Sequence, residues 1–296
     1  MKKIEGIIPP IITPFKKDGA IDENLLAKEM KFSIKSGVHG LSVGGSTGEG
    51  PTLRDEDLHQ LITIAKDYID ENQPIVCGIM RTCTRDAVRS GLMAKEAGAD
   101  AIMVTPTAYN VLVPNEEGMF DFYSTLSREV QLPIIIYNVI PQNTIQPLLF
   151  KRLLDETEYV MGIKQSVGSI PALYAMKMMC HEKGKIFAAT DDMLYTCYDL
   201  GADGAISAIL AVFPELCVEM WDCYLKGNPV RAREIQDQLY ECWQSIAGNQ
   251  FPIRLKYALE LLGRTPGYCR SPIVYLPDEE KDQIKKAFKN MNFYKD

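Results

Sequence analysis

The sequence is most informative at first through what it lacks. No two of its eight cysteines (Cys77, Cys83, Cys180, Cys197, Cys217, Cys223, Cys242 and Cys269) form a C-x-x-C pair. A disulfide framework is therefore not expected, and buried, reduced core thiols are. Only three histidines occur, His39, His59 and His181, and they are dispersed, so no metal site is expected. No apolar run approaches the ~18 residues that cross a bilayer, which argues against a membrane partner. The net charge is −7, leaving no basic excess to neutralise phosphates and arguing against a nucleic-acid partner. At the start, Lys2-Lys3 is followed by Glu5 and then prolines rather than by an apolar core. A signal peptide is not expected and a cytoplasmic location is.

What is present is a repeating pattern. Across 296 residues, 46% of them hydrophobic, short apolar runs alternate with longer amphipathic segments. The runs lie near Gly6–Ile12, Gly40–Val43, Pro74–Ile79, Asp100–Val104, Leu132–Tyr137, Tyr159–Lys164, Lys185–Ala189 and Gly204–Ser207. They are nearly continuous in apolar character, as in parallel strands buried on both faces. Helices between them are expected to start near Asp22, Thr52, Thr84, Asn115, Pro147, Ser169, Asp191-Asp192 and Phe213-Pro214. Gly98-Ala99-Asp100 and Gly201-Ala202-Asp203 echo each other as a helix C-cap glycine followed by a strand start. Strand and helix alternation in this order predicts an α/β fold, a (β/α)8 TIM barrel, over residues 1–226. An open doubly wound sheet is the alternative, but no G-x-G-x-x-G follows the first strand. Beyond Gly227, Val230–Ala247, Pro252–Leu262 and Pro277–Met291 read as helices. Residues 227–296 are therefore expected to form a C-terminal helical extension packed on the barrel.

Barrel sites lie at the carboxyl ends of the strands. There the sequence places Gly44-Gly45-Ser46-Thr47-Gly48-Glu49-Gly50, Thr105-Pro106 with Tyr109-Asn110 soon after, and Tyr137-Asn138. Lys164-Gln165-Ser166, Thr190-Asp191-Asp192 and Ser207 complete the set. The glycine-rich turn can aim backbone N–H groups at one anion. It lacks the G-K-[ST] of a phosphate loop, so a carboxylate is the more natural guest. Lys164 closes an apolar strand. In solvent it is an ordinary strand-end lysine; in a pocket it loses hydration and its amine becomes a nucleophile toward carbonyls. Tyr137 either packs or shuttles protons beside such an amine. Asp191 and Asp192 are either a helix N-cap and first-turn acid or acceptors for sugar hydroxyls. Ser207 is a filler or turn residue unless the site reaches it.

In combination, Gly44-Gly45-Ser46-Thr47-Gly48-Glu49, Tyr137-Asn138-Val139 and Gly162-Ile163-Lys164-Gln165-Ser166 are more specific than any one alone. The chain resembles the dihydrodipicolinate synthase/N-acetylneuraminate lyase family of class I aldolase-like enzymes over nearly its whole length. The resemblance implies a Schiff base between Lys164 and the ketone of pyruvate or a longer 2-oxo acid, with no metal and no organic cofactor. It implies Tyr137 as general acid/base, Ser46 as its relay partner, and Tyr109 completing the relay across a subunit interface. Thr47 with the Gly45–Ser46 turn would hold the substrate carboxylate, and the Ile206 carbonyl would face the lysine. Asp191, Asp192, Gln142, Ser166 and Ser207 would meet the rest of the substrate. A homotetramer, a dimer of dimers, is implied as well.

The sequence also departs from the family pattern. Pro141 stands one place later than in the usual Y-N-x-P, and the place of the arginine that grips a second carboxylate in the synthase branch is taken by Gln142 or Asn143. The Thr107–Pro114 segment is longer than usual. The acidic pair and the G-G-S-T-G-E form lean toward the lyase branch. The expectation is thus an N-acetylneuraminate lyase-like carbon–carbon lyase, joining or cleaving pyruvate and an aldehyde on a hydroxylated 2-oxo acid. A dihydrodipicolinate synthase-like condensing enzyme, a dehydratase or deaminase of a 2-oxo or cyclic imino acid, and a non-catalytic binder on the same scaffold are the alternatives.

Overall fold

The computed structural model describes residues 2–167, 169–180 and 183–295; His181 lies outside them. Among the described residues eight parallel strands form one sheet in the order β1-β8-β7-β6-β5-β4-β3-β2. The strands are β1 Gly6–Ile7, β2 Leu41–Val43, β3 Ile75–Ile79, β4 Ala101–Val104, β5 Ile134–Asn138, β6 Val160–Gln165, β7 Lys185–Ala188 and β8 Gly204–Ala205. The ring closes just beyond β1, where Pro10 and Ser42 form a parallel bridge. There Ser42 N–H donates to the Pro9 carbonyl at 3.0 Å and Ile11 N–H to the Ser42 carbonyl at 2.8 Å. The (β/α)8 expectation holds. β1 is shorter than the apolar run suggested because Pro9 and Pro10 have no N–H to give a ladder.

Seven helices follow the first seven strands: α1 Glu23–Lys35, α2 Asp55–Lys66, α3 Thr84–Ala97, α4 Glu116–Val130, α5 Pro147–Glu156, α6 Ser169–Cys180 and α7 Leu194–Asp199. After β8 comes the short α8 Ile209–Val212, which the sequence pattern did not announce, and then α9 Pro214–Leu225. α10 Pro229–Ile246, α11 Phe251–Leu261 and α12 Asp278–Asn290 form the helical extension. Two start signals misled. Thr52 lies in a one-turn 3-10 helix, and α2 begins only at Asp55. Asp191 and Asp192 do not open α7, which starts at Leu194 after Met193. Five of the eight cysteines are buried as expected, but Cys83 is exposed and Cys223 and Cys269 are half-buried.

The Gly-Ala-Asp echo has a physical basis. Gly98 and Gly201 both take left-handed φ, 98° and 91°, to end α3 and α7. Asp100 N–H donates to the Ile75 carbonyl and its carboxylate accepts from Ile75 N–H at 2.8 Å. Asp203 does the same with Ile186, its carboxylate accepting at 3.0 Å. Each aspartate therefore sets a strand's starting register against its neighbour.

Side chains alternate across the barrel wall with the period of two that strands impose. Ile134, Ile136, Ile163 and Ile186 face the helices and join the main core. Val76, Met103, Ile135, Tyr137, Phe187 and Ile206 point inward and fill the barrel. Tyr137, Lys164 and Phe187 are register partners on β5, β6 and β7. Because Ile163 faces outward, Lys164 is aimed into the barrel mouth.

Candidate active site

The site is built on the carboxyl end of this inward-facing layer. Lys164 is only 4% exposed. Its Nζ stands 3.7 Å from the centroid of the Tyr137 ring. Tyr137 Oη donates to Ser46 Oγ at 3.1 Å. The three residues come from β6, β5 and the turn after β2, so only barrel closure brings them together.

The turn that carries Ser46 depends on glycine. Gly44 has φ +71°, and a Cβ there would lie 2.4 Å from Leu58 Cδ2. A Cβ on Gly78 would lie 2.5 Å from the Gly44 carbonyl oxygen, so β3 is notched to admit the turn. Ser46–Gly48 then forms one turn of 3-10 helix, with Gly48 and Gly50 N–H donating to the Gly45 carbonyl. The N–H groups of Ser46 and Thr47 open this turn, where no carbonyl within the turn can serve them. They are available to an oxyanion.

A cavity of about 280 Å³ lies over Lys164. Ser46, Thr47, Tyr137, Lys164, Ser166, Asp191 and Ser207, all named from the sequence, line it. Val139, Ala189 and Ala208 add apolar wall, and Trp243, Ala247, Gly248 and Phe251 close it from the helical extension. Lys164 is the sole cation among these lining residues. A larger cleft of about 990 Å³ lies between Lys17–Gly19, α11 and Gly267–Leu276, but neither Lys164 nor Tyr137 reaches it. Size alone does not make it the reactive site.

Asp191 is the site's acid. Burial pushes its carboxyl up to about 6, against the opposing pull of the Ser207 hydroxyl, the Ile209 N–H and the Lys164 ammonium. Its carboxylate accepts from Ile209 N–H at 2.7 Å and so caps α8 rather than α7.

Five of the residues named from the sequence do not line this cavity in the single chain. Gly45 shapes the turn through its carbonyl instead of lining the cavity. The Ile206 side chain packs in the barrel interior with Tyr137; the contact expected of it was through its carbonyl, not this side chain. Asp192 turns outward, accepts from Gln244 Nε2 at 3.2 Å and lines a separate groove. Both aspartates stand in a turn closed by Met193 N–H donating to the Thr190 carbonyl at 2.9 Å. Gln142 is exposed on the 3-10 turn Pro141–Asn143, outside the cavity wall. Tyr109 is 70% exposed, at the tip of a tight turn where it bridges Leu112.

Two features escaped the sequence reading. Asn138 staples the unusual segment after Tyr137: its side chain donates to the Ile145 carbonyl and accepts from Ile145 N–H, at 3.0 and 2.8 Å. It also donates to Gln165 Oε1 at 2.9 Å, tying that segment to β6. Tyr137-Asn138 adjacency was the available signal. Trp243 and Phe251 had none, since nothing local marks which helical aromatics turn toward a barrel mouth.

A parallel barrel with a buried lysine beside a tyrosine–serine hydrogen bond defines a class I aldolase-type site, in which an amine captures a ketone and a hydroxyl pair moves protons. The chain belongs to the dihydrodipicolinate synthetase family, whose profile matches residues 3–291. Members of this family are class I carbon–carbon lyases and synthases that form a lysine Schiff base with pyruvate and use no external cofactor, and this protein is an enzyme of that class. It is 30% identical to the 4-hydroxy-tetrahydrodipicolinate synthase of Bartonella bacilliformis, over 99% of this chain and 100% of that one. It is 31% identical to the enzyme of the same name from Archaeoglobus fulgidus, over 97% and 98%. Among solved structures it resembles dihydrodipicolinate synthase from Aquifex aeolicus, with a TM-score of 0.90, 30% identity and coverage of 99% and 100%. It also resembles YagE, a prophage protein of the dihydrodipicolinic acid synthase family from E. coli solved with pyruvate, with a TM-score of 0.92, 28% identity and coverage of 98% and 99%.

Proposed function

We propose that the protein condenses pyruvate with an aldehyde, or runs that reaction in reverse, and that the aldehyde carries hydroxyl groups rather than a second carboxylate. The observation that carries this reading is the Lys164–Tyr137–Ser46 constellation under a cavity whose described lining residues include no other cation. Lys164 Nζ attacks the pyruvate C2 carbonyl, and Tyr137 supplies the proton that lets the carbinolamine lose water. The resulting iminium draws electrons from C3, the Tyr137 phenolate left by that step takes a C3 proton, and the enamine attacks the aldehyde carbon. Tyr137, in exchange with Ser46, gives its proton to the new alkoxide. Water then hydrolyses the iminium and frees Lys164. The Ser46 and Thr47 N–H groups seat the pyruvate carboxylate throughout.

The names of the curated relatives favour a condensing synthase and give no specific support to an N-acetylneuraminate lyase-like substrate. The second reading is therefore 4-hydroxy-tetrahydrodipicolinate synthase itself. Against it stands the cavity: apart from the Lys164 iminium itself, no side-chain cation among the described residues lines it to receive the carboxylate of aspartate semialdehyde. A panel of aldehydes incubated with pyruvate and analysed by mass separates the readings. Turnover best with neutral hydroxylated aldehydes supports the first, and turnover best with aspartate semialdehyde establishes the second.

Tyr109 and the exposed Val111 and Leu112 beside it form an apolar tip. We place this tip against a second copy of the chain, where Tyr109 would extend the Tyr137–Ser46 relay within a homotetramer. Sedimentation of the parent and of Leu112→Asp tests this assembly; an unchanged mass for the variant contradicts it.

A further inference from the structure

Lys256 and Glu49 form an ion pair at 2.7 Å in which both side chains are almost fully buried, 3% and 1% exposed. Every atom of the pair has work. Lys256 Nζ also donates to the Thr13 and Tyr268 carbonyls, at 2.8 and 2.6 Å. The second Glu49 oxygen accepts from Arg270 N–H at 2.9 Å. Thr13 Oγ1 in turn donates to the Gly48 carbonyl at 2.7 Å.

Two facts give this cluster a meaning beyond cohesion. Glu49 has φ 61°, a left-handed conformation uncommon for a residue with a side chain, directly after the Ser46–Gly48 turn. Such a backbone persists where its surroundings over-determine it. Moreover, α11 contributes Phe251 to the cavity wall and Lys256 to the pair. One helix of the extension thus both walls the cavity and grips the turn that seats the substrate. A buried ion pair contributes little net stability compared with apolar residues of the same shape, but it fixes geometry.

We infer that Glu49 and Lys256 are positioning residues: they hold the Ser46–Thr47 turn at the angle that binds the pyruvate carboxylate, and the helical extension is thereby part of the active site. This rests on the reading of Lys164 as the Schiff-base lysine. The seat touches the carboxylate in ground and transition states alike, so its distortion raises the pyruvate requirement more than it slows the chemistry.

The test is the rate of borohydride inactivation against pyruvate concentration, for the parent and for Glu49→Gln/Lys256→Met, which removes both charges at similar volume. A control, Glu29→Gln/Arg264→Met, removes a second part-buried pair that joins the extension to α1 away from the cavity. The clasp variant, folded by its circular dichroism, is expected to need about 10- to 100-fold more pyruvate for half-maximal inactivation, with the maximal rate nearly kept. The control is expected to keep the parent's value even where its melting temperature falls as far. Should the clasp variant fold poorly, Glu49→Gln alone gives the same readout with the same direction. An unchanged pyruvate requirement in the folded variant, or an equal rise in the control, overturns the positioning role. A parent that forms no adduct overturns the Schiff-base reading instead, and this inference with it.

Discussion

Tyr137 and Lys164 are register partners on adjacent strands, and the lysine amine rests 3.7 Å from the tyrosine ring centroid. The pairing puts the nucleophile and the proton carrier on one rigid piece of sheet. The ring lies under the amine, while Oη reaches sideways to Ser46 Oγ at 3.1 Å. Removing the hydroxyl therefore need not disturb the platform.

Tyr137→Phe keeps that platform and deletes the proton carrier. Its kcat is expected to fall by about 10²- to 10⁴-fold, the usual contribution of a positioned acid/base. Ser46→Ala, which leaves Tyr137 Oη in place, is expected to lose less. Steady-state kinetics with pyruvate and a productive aldehyde check both, and a larger loss in Ser46→Ala than in Tyr137→Phe contradicts the assigned roles.

Asp191 makes stability depend on pH. Its folded value of about 6 lies above the ordinary 3.8, so the native state holds the proton more tightly than the unfolded chain. Its burial therefore does no harm below about pH 4, and the penalty grows until about pH 6, reaching roughly 3 kcal/mol. Asp191→Asn lacks this term. Urea unfolding of the pair should give equal stabilities near pH 4 and a more stable variant at pH 7; a gap independent of pH contradicts the burial argument.

Trp243 and Phe251 meet edge to face with ring centroids 5.8 Å apart, and both wall the cavity. Trp243→Ala removes part of the wall that the helical extension supplies to the cavity. The KM for the aldehyde is expected to rise about tenfold while the pyruvate requirement for borohydride inactivation stays near the parent's. A rise confined to pyruvate places Trp243 at the wrong end of the substrate.

Gly44→Ala is expected to be among the worst small changes in the chain. It combines a left-handed φ of +71° with a Cβ 2.4 Å from Leu58. The strain and the overpacking together are worth about 2–4 kcal/mol. Chemical denaturation measures it, and a loss well under 1 kcal/mol shows that the turn relaxes freely.

The barrel was legible because parallel strands buried on both faces leave continuous apolar runs, and glycine and aspartate punctuate them at Gly98–Asp100 and Gly201–Asp203. Lys164, Tyr137, Ser46 and Thr47 were legible because barrel geometry gathers strand ends. The rest was set by contacts distant in sequence. Asp191 and Asp192 are neighbours in the chain, yet the Ile209 N–H holds one inward and Gln244 holds the other outside. The pairing of Glu49 with Lys256 spans 207 positions, and each residue alone reads as an ordinary surface charge. Tyr109 stands away from the cavity because its turn projects outward in the single chain.

The most direct measurement is borohydride reduction in the presence of pyruvate, followed by peptide mass analysis of the parent and of Lys164→Ala. One reduced pyruvate adduct on Lys164 in the parent, and none in the variant, is the predicted result. An unmodified Lys164 at saturating pyruvate, or an adduct confined to another lysine, contradicts the account.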